Sequence, residues 1–109
     1  MSLDLNSLLK DMLSAAKDSL GSHWEGIKDV ATISFKGLAQ HLVDIEKMRL
    51  NGTITPEKAA LLIGMQKDAV KIAIATEEGL GLLAAEAAIN AALDVVRNTV
   101  NAAIGFAIL

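Results

Sequence analysis

The last third of the chain, Glu77 to Leu109 (EEGLGLLAAEAAINAALDVVRNTVNAAIGFAIL), restricts the fold most. After Glu78 it carries only three charges, Glu86, Asp94 and Arg97, among Leu, Ala, Val and Ile. A helix this apolar has to be covered by other helices. Its polar side chains are ordered rather than scattered. Glu86, Asn90, Asp94, Arg97 and Asn101 follow one another at steps of four, four, three and four. At 100° per residue they fall within an arc of about 80°. The spacing predicts a helix with one narrow polar stripe, in which Asp94 and Arg97 are close enough to pair.

Two readings of that stripe follow. It is the solvated edge of a helix otherwise buried, or it lines the axis of a bundle of several chains, where Asn fixes register. Alanines at 84, 85, 87, 88, 91 and 92 remove bulk and let a partner backbone approach. The surface expected to meet a second copy is Leu83, Ala84, Ala88, Ala91, Ala92, Val95 and Ile104. Ala88→Glu is then expected to split the assembly.

The remaining composition agrees with helices. Hydrophobic residues make up 52% of 109 but aromatics only 3%, and there is a single Pro. Ala, Leu, Ile and Val therefore dominate, which points to an all-α chain forming one domain over 1–109. A net charge of −3 and no run of Lys and Arg argue against nucleic acid as a partner. With no Cys, disulfides and thiolate chemistry are excluded, as suits a reducing, cytoplasmic setting. MSLDLNSLLKDML lacks the basic start and long apolar core of a signal peptide.

Along the chain, Leu5, Leu8, Leu9, Met12, Ala16 and Leu20 share one face of a first helix over about 4–20. Asp4 is placed to cap it and Gly21 to stop it. Ser22-His23-Trp24-Glu25 has capping-box spacing, so a second helix is expected over 23–50. Its seam is Trp24, Ile27, Ala31, Phe35, Leu38, Leu42 and Ile45. Asn51-Gly52-Thr53-Ile54-Thr55-Pro56 then reads as a helix stop, a short turn and a capped restart. So short a link implies an antiparallel helical hairpin.

The third helix is expected to bury Leu62, Met65, Ala69, Ile72 and Thr76, with Ile63, Val70 and Ile74 as a second apolar edge. A fork comes at Thr76-Glu77-Glu78-Gly79-Leu80-Gly81. The absence there of Pro, Asn, Ser or a longer loop favours a kink over a break. The result is one long helix over 56–107, kinked at 76–81, of roughly 75 Å for 50 residues. One short chain cannot cover such a helix, so this version is an oligomeric bundle. The alternative, with a complete break led by Thr76, Glu77 and Glu78 as an N-terminal turn, is a monomeric up-down four-helix bundle.

No chemistry-bearing pattern emerges. The chain has two histidines, His23 in a turn and His41 one turn before Asp44, and no Glu-x-x-His pair of the kind a metal-binding bundle uses. It also has no phosphate-binding glycine loop and no His-Glu-x-x-His. No enzyme activity, cofactor, metal site or small-molecule substrate is expected. The chain reads as a non-catalytic interaction or assembly protein that self-associates through its Ala-rich C-terminal helix. Membrane association is the alternative, suggested by a mean hydropathy of +0.42 and the ending AAIGFAIL. Asp94, Arg97 and three asparagines oppose it, because polar groups are costly in hydrocarbon.

Overall fold

The computed structural model describes residues 3–109. Met1 and Ser2, where the single-domain reading begins, lie outside the described residues, as does the side chain of Glu78, expected to help start a helix. Among the described residues there are four α-helices, two 3-10 turns and no strand.

Helix α1 is Leu5–Leu20. Asp4 sits in the extended region before it and accepts from Ser7 N (3.0 Å) and Ser7 Oγ (2.6 Å). Those bonds satisfy a donor of the first turn that no helix carbonyl can reach. They also hold the Asp4 carboxyl below its usual pKa, the Ser7 hydroxyl contributing most. A single 3-10 turn, Gly21–His23, then leads into α2, Trp24–Leu50. No side chain caps the start of α2, so the expected Ser22 capping box is absent. The backbone stays helical through the turn instead, and Trp24 N–H donates to the Gly21 carbonyl.

After α2, Gly52 takes a positive φ of 70°, and Thr53 donates to the Met48 carbonyl from both its N–H and its hydroxyl. Helix α3 is Pro56–Ala75, with Thr55 Oγ1 accepting from Lys58 N at 3.2 Å. The pyrrolidine ring of Pro56 falls where a helix has no N–H to lose.

The expected long helix is interrupted. α3 ends at Ala75, a 3-10 turn covers Glu77–Gly79, and α4 runs Leu82–Ile104. Gly79 and Gly81 have φ of 66° and 91°, which L side chains adopt only at a cost of about 1–2 kcal/mol. Gly81 N–H donates back to the Ala75 carbonyl at 3.1 Å, closing the end of α3. The two helices lie side by side. End to end they would span about 65 Å at 1.5 Å per residue, yet the longest dimension of the molecule is 42 Å. The two glycines break the chain by themselves, without the Pro, Asn, Ser or longer loop whose absence points to a kink.

Each helix packs on the next and α4 closes against α1, leaving α1 and α3 on opposite sides without mutual contact. The core joins Met12 of α1, Phe35, Leu38 and Leu42 of α2, Ile63 and Ile74 of α3, and Val96, Val100 and Ile104 of α4. Each such side chain contributes on the order of 1.5–3 kcal/mol by leaving water.

The orientation of α3 reverses the expected one. Ala59, Ile63, Val70 and Ile74 face the core, whereas Met65, Ala69, Ile72 and Thr76 are exposed and Leu62 is half-buried. This helix is apolar on two opposite sides. Taken alone, either can turn inward. With α2 and α4 flanking it, only one side reaches the core.

Candidate interaction surface

Glu86, Asn90, Asp94 and Arg97 of the polar stripe all face solvent. Asp94 and Arg97 form an ion pair, with both side chains about half exposed. Such a pair contributes only tenths of a kcal/mol up to about 1. Asn101 has a separate job. It is half-buried, and its Oδ1 accepts from Ile108 N (3.0 Å) and Leu109 N (3.2 Å), folding the last residues back beyond Gly105. Phe106 in that returning segment lies under the Arg49 guanidinium, 5.7 Å from ring centre to charge.

The seven residues expected to meet a second copy divide three ways. Ala88, Ala92 and Ile104 are buried in the chain's own core and are not available to a partner. Ala84 and Ala91 are half-buried. Leu83 and Val95 are open, at 85% and 54% exposure. The alanines do admit a close neighbour, but that neighbour is the same chain: with the break at Gly79–Gly81, α4 packs on α1 and α3.

Large apolar side chains are left exposed on α2 (Ile33 and Leu50), on α4 (Leu82, Leu83 and Val95) and, as a row along one face, on α3. Leu61, Met65 and Ile72 are 63%, 60% and 59% exposed. At helical geometry they point within about 40° of one another. An outward-facing row of large apolar side chains is the reverse of an ordinary surface helix. Lys58 and Asp68 border the row, and Asp68 pairs with Lys71 at 3.9 Å.

On the far side of the molecule, a groove follows the seam between α1 and α4. One part, about 180 Å³, is lined by Leu3, Asp4, Ser7, Leu8, Asp11, Val96 and Thr99. The next part, about 270 Å³, shares Asp11 and continues along Ser14, Ala15, Asp18 and Val95. The charged residues lining it are thus Asp4, Asp11 and Asp18, one every seven positions on a single rim. Lys10 and Lys17 belong to the same helix but do not line the groove.

His23 is exposed, and His41 Nδ1–H donates to the Gly37 carbonyl at 2.9 Å. Asp44 accepts from Gln40 Nε2 at 2.9 Å. Among the described residues no three His, Asp or Glu side chains gather closely enough to hold a metal ion.

Sequence reasoning missed Glu46, the buried charged residue of the core at 3% exposure. Its Oε1 accepts from Leu3 N at 2.9 Å, and its Oε2 has no partner among the described residues. The signal was positional, since Glu46 continues the row Ala39, Leu42 at a further step of four. Its charge argued for the surface and masked that row.

No helix among the described residues is long and apolar enough to cross a membrane. No family model, curated protein or solved structure matches the chain.

Proposed function

We propose that this chain is a non-catalytic helical protein that works by self-association. The observation that carries the reading is the outward row Leu61, Met65 and Ile72 on α3. Leaving three large side chains in water along one helix forgoes about 25 cal/mol for each Å² that a partner would cover. Contiguous exposed apolar patches of this kind mark interaction sites. The proposed contact surface is this row on α3; of the seven residues that the sequence points to on α4, Leu83 and Val95 are also open to a partner.

Light scattering on a sizing column, over a range of concentrations without detergent, tests it. A mass rising above the 11.4 kDa of one chain and returning to it in Met65→Glu is the expected result. A wild-type chain that stays at one protomer throughout would end the proposal.

A further inference from the structure

We infer that two copies pair through α3 itself, with the two α3 helices parallel and in register about a two-fold axis. This rests on the self-association reading and names its partner surface and orientation. Two features of the row select the arrangement, and the first is spacing. Leu61, Met65 and Ile72 are separated by steps of four and seven. A parallel partner repeats that order, so each side chain meets its own counterpart. An antiparallel partner reverses it to seven and four. Setting Leu61 against Ile72 of the second copy then places Met65 against Asp68, an apolar side chain against a carboxylate that loses water. Any other antiparallel register leaves one of the three without an apolar counterpart in the row.

The second feature is charge. At 100° per residue, Lys58 lies about 40° to one side of Ile72, whereas Glu57 and Asp68 lie about 60° and 40° to the other. The row thus has a basic flank and an acidic flank. In a parallel pair each flank borders the opposite flank of the partner; in an antiparallel pair each borders its own kind. Parallel pairing therefore brings Lys58 of each copy beside Glu57 of the other, at nearly the same height along the helices, twice by symmetry. Asp68 keeps its own Lys71 at 3.9 Å, farther round the acidic flank. Aligned helix dipoles oppose the arrangement, but that effect is confined to the end turns and screened by salt. Both copies use the same surface, so association ends at a dimer.

Cysteine placement reads the orientation, because the chain has none of its own. Leu61→Cys and Ile72→Cys, both at exposed positions, are oxidised separately at a concentration where light scattering shows wild type above one protomer. Each alone is expected to form a disulfide-linked dimer of twice 11.4 kDa. Leu83→Cys, open on α4 but outside the contact, is expected to stay unlinked. Charge gives a second reading that needs no oxidation. Lys58→Glu and Glu57→Lys should each dimerise about fivefold more weakly than wild type, and an equal mixture of the two should recover wild-type affinity. Linkage only when Leu61→Cys and Ile72→Cys are mixed, or in neither, overturns the parallel pairing and leaves self-association standing. So does linkage at Leu83→Cys as fast as at Ile72→Cys, a charge mixture no stronger than its components, or a wild-type mass beyond a dimer. A wild-type chain that never exceeds one protomer overturns both.

Discussion

Glu46 Oε1 accepts the backbone N–H of Leu3 at 2.9 Å, tying the segment before α1 to α2 across 43 positions of sequence. The bond satisfies a buried N–H at the expense of burying a carboxylate whose second oxygen has no partner among the described residues. The two effects oppose each other, and substitution separates them. Glu46→Ala orphans Leu3 N–H and should lower stability by about 1–3 kcal/mol. Glu46→Gln keeps an acceptor without the charge and should fall within about 1 kcal/mol of wild type. Urea unfolding of the two variants decides it, and equal losses in both would show that the Leu3 bond contributes nothing.

Ala88 is fully buried, so Ala88→Glu is expected to unfold the chain rather than to split an assembly of folded copies. An unpaired carboxylate with no room and no water costs several kcal/mol. Leu83→Glu, at 85% exposure on the same helix, should leave the thermal midpoint nearly unchanged. If Ala88→Glu instead melts with wild-type cooperativity, the placement of α4 is wrong.

The break between α3 and α4 depends on glycine. A Cβ at Gly81 would meet no atom within 4 Å, so the cost of Gly81→Ala is backbone strain alone, about 1–2 kcal/mol. Changing Gly79 and Gly81 together to Ala should favour one continuous helix over both segments. That helix cannot fold back on its own chain, so exchange of α4 between two copies is the expected product. A dimer whose mass does not respond to Met65→Glu would identify it in light scattering.

Asn101 holds the returning end through two backbone N–H groups. Asn101→Ala should speed hydrogen exchange at Ile108 and Leu109 and leave the core amides of α2 protected. Uniform acceleration along the whole chain would mean instead that the end is integral to global stability.

Acid should weaken the start of α1. The Asp4 carboxyl is held below its usual value by the Ser7 hydroxyl and N–H. A lowered folded-state pKa contributes stability that is fully present above the unfolded value, about 3.9. That contribution disappears as pH falls through the lowered folded value. Asp4→Asn caps without a titrating charge, so its midpoint should change less than wild type between pH 5 and 2 (about the range in which carboxylates protonate). Parallel curves for the two proteins would remove Asp4 from the acid response.

Much of the fold was legible because it is local. Asp4, Gly21, Gly52, Thr55 and Pro56 mark helix ends through bonds and dihedral angles that span a few residues, and the chain carries them wherever those helices go. The seam of α2 was legible for a related reason: Ile27, Ala31, Phe35, Leu38, Leu42 and Ile45 form one apolar row, leaving one choice of inward face. The polar stripe of α4 likewise admits only one outward side.

Where two local answers are nearly equal in energy, packing made the choice. α3 offers two apolar sides, and the presence of α2 and α4 turned Ile63, Val70 and Ile74 inward, leaving Leu61, Met65 and Ile72 in water. Gly79 and Gly81 permit a kink or a reversal, and covering α4 with α1 and α3 selects the reversal. That same fold-back buries Ala88, Ala92 and Ile104 in the chain's own core. It also opens the aspartate-rimmed groove, whose walls come from residues some eighty positions apart. Such a surface exists only once the ends of the chain have been brought together. Periodicity along a chain gives the faces of each helix; the free energy of burying one face against another is a property of the assembled set.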